Sequence, residues 1–492
     1  MSETTLKPSL TFFDVTNLVV GAIIGADIYV ASSFGAGLLG PFSLVVWVVA
    51  GLMAIILALC FAQCASLLPK VGGPYAYAHA AWGSFAGFTV GWALWLAEWM
   101  SLAVFPVAFT QYLMVFIGLN WILQIVIKAL FVAFLVATNV IGVRAAGRTN
   151  DVLTILKIAP LIFFMVIGLG YVFTNTTVAA GNFSPFSPFG FSNFGLALVL
   201  IFWAYAGFEL STIPAGEIKD PGRTIPKAIV LGISIVTFFY LTTNFVLLGV
   251  RNYTLLANDT TPLVNATKSA LNSIPALAFV GGLIVGVGAL ISVTGSDESG
   301  MIGTSRLGYA LAADGLFPRI FAKIHPKYKT PYLGIIVQAI TALIAALIGN
   351  LNTLIATSVF FLAIAYVATC ASTYTLKRKG LKAQFTLRGG MILPILGIIF
   401  SVYLITQCTL LQIGLGLILL VAGIPMYIKY SPKKEMTELE SALLSSESVM
   451  ERAERQEQRF LANVLRHVKH LYRRTKRSKQ PQAETENSQK AS

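Results

Sequence analysis

The sequence predicts an all-α integral membrane protein. It has twelve transmembrane helices, ten of them in a 5+5 inverted repeat whose opening helices, 1 and 6, are broken in mid-span. Three observations predict this. The 492 residues are 56% hydrophobic and 11% charged, with a mean hydropathy of +0.76, far from the composition of a soluble domain. Roughly a dozen windows of about 18–25 apolar residues can be drawn, each long enough to cross a bilayer. Two of these are interrupted, at Gly21-Ala22-Ile23-Ile24-Gly25-Ala26-Asp27 and at Phe202-Trp203-Ala204-Tyr205-Ala206-Gly207-Phe208-Glu209.

In chain order the spans are predicted at about 13–38, 42–67, 84–115, 121–141, 150–174, 194–216, 226–250, 276–310, 332–349, 352–376, 391–411 and 413–429, with ends good to a few residues. The first is too long for a cleavable signal peptide and lacks a basic flank and a small-residue cleavage site. Each broken helix opens a group of five, at about 12–174 and about 194–376, and helices 11 and 12 follow at about 391–429. Five is odd, so the second group enters the membrane from the opposite face, the condition for an inverted repeat. No residue-level identity joins the halves; the symmetry rests on hydropathy and on the position of the breaks. The membrane domain is therefore residues 1–429 and the tail residues 430–492.

Positive charge sets the orientation. With the N-terminus in the cytoplasm, the inner loops hold Lys70; Arg144 and Arg148; Lys219, Arg223 and Lys227; Arg306, Arg319, Lys323, Lys327 and Lys329; and Lys377, Arg378, Lys379, Lys382 and Arg388. The outer loops hold only Arg251 and Lys268. Both termini are thus expected inside. Five glycosylation triplets, at Asn175, Asn182, Asn252, Asn258 and Asn265, fall in the two longest outer loops. The net charge of +14 is mostly topological and gives no sign of nucleic-acid binding. Cys60, Cys64, Cys370 and Cys408 all lie in spans and read as small buried apolar residues. No His or Cys cluster completes a metal site, and no cofactor is expected. The tail is acidic from Glu435 to Glu454 and basic from Arg466 to Lys479. Apolar residues at helical spacing predict an amphipathic helix over 448–474, suited to an anionic membrane surface or to self-pairing. The end from Gln480 reads as disordered.

The breaks carry the chemistry. Backbone that leaves the helix inside a bilayer survives only where it lines a site buried in protein. Matching breaks in two halves are the best sequence pointer to a transport site. At Gly25-Ala26 exposed amides and the positive end of a half-helix suit an anion. Asp27 sits beside that cradle. It can hold a substrate amine, bind a coupling cation, or carry a proton for part of a cycle; a protonated Asp27 capping the broken helix is the structural alternative. Lys157 lies in mid-span and can cycle a proton, pair with Asp27, or serve as a static partner. The eighth span carries Ser292, Thr294, Ser296, Asp297, Glu298 and Ser299, a polar density that argues for an ion or water path. Asp297 and Glu298 lie about 100° apart on a helix, so both cannot face one point. Glu98 and Glu209 bring the acids expected in the interior to five, against Lys128 and Lys157, with Lys128 a candidate partner for Glu98. That balance favours a cationic passenger.

Several short motifs, in order, resemble the amino acid–polyamine–organocation permeases. They are Gly21, Ile24, Gly25, Ile28 and Tyr29 in the first helix, and Pro69 through Gly72-Gly73-Pro74-Tyr75 after the second. Next come Gly142, Arg144, Gly147, Arg148 and Asn150; then Tyr205, Gly207, Phe208 and Glu209, followed by Glu217, Lys219, Pro221, Arg223, Ile225 and Pro226. The last are Ser305, Arg306 and Tyr309 through Asp314, Gly315 and Pro318. Together they cover residues 12–331. The resemblance implies the LeuT-type five-plus-five fold and transport by alternating access. It implies that Ile23, Gly25 and Ala26 face a substrate carboxylate, and that Phe202, Ala204 and Tyr205, with Gly207 in the same break, face the amine and side chain. Phe202 and Trp203 would form an aromatic wall. The family usually has glycine where this chain has Asp27. In some similar permeases a lysine at the place of Lys157 replaces sodium and makes transport proton-coupled. Glu209 matches a position that the family uses structurally.

The expected function is therefore a secondary active permease of the plasma membrane, not an enzyme. It moves amino acids or related amines, with Asp27, Lys157, Asp297 and Glu298 as coupling residues and the proton as coupling ion ahead of sodium or potassium. A polyamine or cationic amino acid exchanger is the alternative. A potassium transporter on the same fold is favoured by the acids and disfavoured by Lys157 and the sixth-helix motif. A membrane hydrolase using Asp27 and Asp297 would leave the motifs unexplained. A sensor signalling through the tail is a further class.

Overall fold

The structure is a computed structural model and describes residues 10–141, 143–386 and 390–431. The tail from 432, with the helix expected at 448–474, lies outside the described residues, as does Arg388. Among the described residues the chain is helical, and one isolated parallel bridge, Leu10 to Ile218, is its only extended pairing.

Most elements fall on the expected spans, but the helix expected from about 150 starts at Val143 and the one expected to about 411 ends at Thr406. The first span is α1 (Phe12–Ile23) and α2 (Asp27–Leu39), separated by three residues of non-helical backbone. Then come α3 (Ser43–Leu67), α4 (Pro74–Trp82), α5 (Ser84–Leu113), α6 (Trp121–Ile141), α7 (Val143–Thr174) and α8 (Thr176–Asn182). The second break follows α9 (Phe194–Phe202). The rest is α10 (Pro221–Val250), α11 (Tyr253–Leu256), α12 (Pro262–Ala270), α13 (Pro275–Ala313), α14 (Tyr332–Ile348), α15 (Leu351–Arg378), α16 (Ile392–Thr406) and α17 (Leu410–Tyr430).

Local chemistry explains the ends. Thr11 and Asp14 form a reciprocal capping box that starts α1. Thr409 and Gln412 do the same for α17. Proline opens α10, α12 and α13, where its missing N–H would be unpaired anyway. That is why α10 begins at Pro221, ahead of the expected 226.

Among the described residues nine helical segments are long and apolar enough to cross a membrane; the first, Phe12–Leu67, runs through α1, α2 and α3. The apolar helices α14 and α16 are shorter. The chain is a multi-pass membrane protein. The most extensive packing joins α10 to α3, α15 to α5, α15 to α16 and α13 to α7. α1 is held by α10, α7 and α13, so the first break lies inside the bundle. On α6, α16 and α17 large apolar residues such as Trp121, Leu130, Ile392, Leu410 and Ile418 face outward, as lipid contact requires.

Candidate functional site

A helix that stops inside a bilayer leaves its last carbonyls without partners. At the end of α1 three other helices supply them. Tyr240 of α10 donates its hydroxyl to the Ile23 carbonyl at 2.8 Å. From α13, the Ser296 hydroxyl lies 3.0 Å from the Gly21 carbonyl and 2.9 Å from that of Ile24. Ser292 reaches the Gly25 carbonyl at 3.3 Å. Lys157 of α7, fully buried, donates to the Gly21 carbonyl at 2.5 Å and to the Ser296 hydroxyl at 3.3 Å. Gly25 is required here, because a Cβ would stand 2.5 Å from the Ser296 Oγ. The Asp27 carboxyl, at the start of α2, turns back onto the amides of Gly25 and of Asp27 itself. Replacing Tyr240 by Phe is expected to cost about 1 kcal/mol, one net hydrogen bond, read as a lower melting temperature in detergent.

The second break is longer. After Phe202 the chain makes 3-10 turns at Trp203–Tyr205, Phe208–Thr212 and Ala215–Glu217 and never resumes an α-helix before Pro221. Ala206 is extended and Gly207 has φ +120°. The Gly207 amide donates to Glu209 Oε1 at 3.0 Å, and the Tyr366 hydroxyl of α15 donates to Glu209 Oε2, also at 3.0 Å. Trp203 donates its indole N–H to Ser101 of α5 at 3.0 Å, and Ser101 meets Ser358 of α15 at 3.0 Å. The Tyr205 hydroxyl is tied to the Trp47 carbonyl at 3.1 Å.

Between the two breaks lies a small cavity. The first break lines it with Ala22 and Asp27, and the second with Trp203, Ala206, Gly207 and Glu209. Helix α5 adds Glu98, Ser101, Leu102 and Phe105, and α13 adds Ser296. Glu98 and Glu209 are neighbouring acids in this wall.

Of the residues singled out in the sequence, Asp27, Glu98, Trp203, Gly207, Glu209 and Ser296 line this cavity. Ile23, Gly25, Ala26, Phe202, Ala204 and Tyr205 are buried in the two breaks but are not in its wall. Lys157 stands behind the first break. It reaches a carbonyl and a serine, and no ion pair joins it to Asp27. Asp297 and Glu298 are buried on α13 away from the cavity; Glu298 accepts from Thr138 of α6 at 2.9 Å. Glu98 does not pair with Lys128, which is half-buried on α6; its acidic neighbour in the cavity wall is Glu209. The lining residues the sequence did not single out are Leu210, Gly300 and Leu362 and, on α5, Ser101, Leu102 and Phe105. The spacing of these last three from Glu98, at i+3, i+4 and i+7, is one helix face and was the available signal.

Three of the motifs, those around Tyr75, Glu217 and Arg306, meet one another. Glu217 and Arg306 form an ion pair at 3.2 Å. Tyr75 donates to Asp314 at 2.5 Å. The Gly72 amide donates to the Ile213 carbonyl at 3.0 Å, and Leu10 is clamped between the Glu217 carbonyl and the Lys219 amide at 2.9 and 3.0 Å. Residues 10–422 match the family model for amino acid permeases. The chain belongs to the amino acid permease family. The permease is 30% identical to a branched-chain amino acid permease of Bacillus subtilis over 88% of this chain and 94% of that one. It is 31% identical to a methylthioribose transporter of the same bacterium over 71% and 77%. To a serine/threonine exchanger of Bacillus subtilis it is 28% identical over 87% and 98%.

Proposed function

We propose that this permease is a proton-coupled secondary active transporter of amino acids or related amines in the plasma membrane, working by alternating access. The single observation that carries the reading is the cavity between the two breaks, with Asp27 in its wall and Lys157 holding the first break from behind. In this reading the segment Ile23 to Ala26 receives a substrate carboxylate, and the carbonyls of Phe202, Ala204 and Tyr205 receive the amine. Trp203 walls the cavity beside Gly207. Lys157 and Asp27 carry the coupling proton, and Asp297 and Glu298 line its path along α13. The names of the relatives support amino acids as the substrate class, and two of them name neutral ones.

Twelve spans in two inverted groups of five, residues 12–174 and 194–376, are supported by the packing. α3 with α10 pairs helix 2 with helix 7. α5 with α15 pairs helix 3 with helix 10, and α7 with α13 pairs helix 5 with helix 8. A pseudo-two-fold that exchanges the groups maps the first pair onto itself and the other two onto each other. The basic inner loops support cytoplasmic termini, with residues 430–492 as a cytoplasmic tail.

The test is uptake into proteoliposomes of labelled neutral, acidic and basic amino acids and polyamines, under a proton gradient, a sodium gradient or neither. Proton-driven accumulation of an amine-bearing class is expected. Potassium or sodium flux without uptake of any of these would overturn the reading. Asp27→Gly, which restores the residue usual in the family, is expected to move preference toward neutral amino acids; an unchanged ranking would rule out Asp27 as the selector.

A further inference from the structure

In the orientation proposed above only Arg251 and Lys268 carry positive charge on the outer side, and the structure brings both into one pocket. The rest of its wall is Asn265, Ser269 and Asn272, so every side chain lining it is polar. Arg251 follows the last residue of α10, a helix of 30 residues, about 45 Å long at 1.5 Å per residue. The pocket therefore lies at the far end of α10 from the Glu217–Arg306 pair. Asn265 and Lys268 belong to α12, which packs on α13, α7 and α2.

Asp259 stands beside the pocket, and both its oxygens are engaged. Oδ2 accepts from Arg251 Nη1 at 2.6 Å and from Asn265 at 3.1 Å. Oδ1 accepts from Asn265 and from the Thr261 amide, each at 2.9 Å. The ion pair is sheltered from solvent, its side chains 16% and 7% exposed. It uses one nitrogen of the Arg251 fork and leaves an edge free. Lys268 forms no ion pair among the described residues. Its stem crosses Gly282 of α13, where a Cβ would stand 2.6 Å from Lys268 Cε. The bare glycine makes room for the stem and so places the ammonium at the pocket. Two cations against one acid leave a single positive charge in a wall of amides and a hydroxyl. The same network reaches the first span, because Ser33 of α2 donates to the Asp259 carbonyl at 2.6 Å.

We propose that this pocket is an outer-face site for a monocarboxylate, with the carboxylate of an arriving amino acid as its occupant. A planar carboxylate matches the free edge of the Arg251 guanidinium. Lys268 supplies the charge that Asp259 does not cancel. One negative charge equals the excess, whereas a phosphate dianion would bring one too many. The site is separate from the cavity between the breaks, for no residue lines both. An amino acid held here waits over α2, the helix that Asp27 opens, before it reaches that cavity. Only the word outer rests on the proposed orientation; the binding itself does not.

The Lys268 ammonium itself reports occupancy. The purified full chain is treated with an amine-acetylating ester in a buffer free of carboxylates, and labelling is read by mass spectrometry of the peptides. The rate at Lys268 is taken relative to Lys70 and Lys219, which are exposed and far from the pocket. That ratio cancels any reagent consumed by a ligand's own amine. The probes are L-leucine, isocaproate, which lacks the amine, and L-leucinamide, which lacks the carboxylate. Two charge-assisted contacts set an expected Kd near millimolar, so about 10 mM leucine or isocaproate should slow labelling of Lys268 about tenfold. Leucinamide should not slow it. Arg251→Lys keeps the charge and the Asp259 pair but not the fork, and should lose most of the protection. No protection by either carboxylate in the wild-type chain, which needs no variant to fold, overturns the proposal. So does equal protection by chloride or leucinamide, or full protection in Arg251→Lys. Protection by isocaproate alone overturns the amino acid as the occupant. The readout involves no uptake, so the transport reading stands or falls by its own test.

Discussion

Lys157→Met is expected to convert concentrative uptake into equilibration. Accumulation driven by a proton gradient should fall about tenfold or more, while exchange of labelled for unlabelled substrate continues. Lys157 is fully buried, and its ammonium ends on the Gly21 carbonyl and the Ser296 hydroxyl, the groups that hold the end of α1. A hydrogen bond from a charged donor is worth about 1.5–3 kcal/mol. Protonated, Lys157 therefore ties α7 to the first break and to α13 at once. Neutral, it loses the charge-assisted part of both bonds. Coupling needs such a group: one whose charge state changes how firmly one conformation is held. The two readouts separate coupling from scaffolding. A lysine that only positions the break would make exchange and accumulation fall together. Proton-driven accumulation left intact in Lys157→Met would remove Lys157 from the coupling path.

The helices were legible because hydropathy and proline placement act locally. The span expected at 121–141 is α6 at its full length, and Ser84 and Pro275 start α5 and α13 within a residue of expectation. Both breaks were legible for the same reason: Gly21, Gly25 and Gly207 interrupt apolar runs where no loop is due. What the sequence did not show was direction. Glu98 reads as a buried acid, but the Glu209 carboxyl that neighbours it in the cavity wall comes from the second break, and no local pattern announces that meeting. Lys128 was the nearer cation in sequence and the wrong partner, since α6 turns much of its length to lipid. The collapse of the second break into 3-10 turns was hidden too. It depends on Ala206 being extended and on Tyr366 and the Gly207 amide holding Glu209, contacts that only the assembled bundle creates.

The largest loss of stability from one methyl group is expected at Gly207. Its φ of +120° lies where side chains are strained, and its amide is committed to Glu209. A Cβ there would stand 2.9 Å from the Ala22 carbonyl carbon and 3.1 Å from the Ile23 amide. Those are backbone atoms of the first break, so the two breaks touch at this point and neither can yield by turning a side chain. Strain of about 1–3 kcal/mol and overpacking of about 1–3 kcal/mol add, so Gly207→Ala should lose about 2–6 kcal/mol and bind no substrate. Gly25→Ala meets a different neighbour. Its Cβ would press on the Ser296 side chain, at 2.5 Å from Oγ and 2.7 Å from Cβ. Removing the hydroxyl takes away the nearest obstacle, so Ser296→Ala should recover part of the melting temperature lost in Gly25→Ala. The same serine change should recover none in Gly207→Ala, because no side chain is at fault there. Melting curves of the two single variants and the two doubles decide it. A Gly207→Ala chain as stable as the wild type would mean that the breaks are not in contact at this residue.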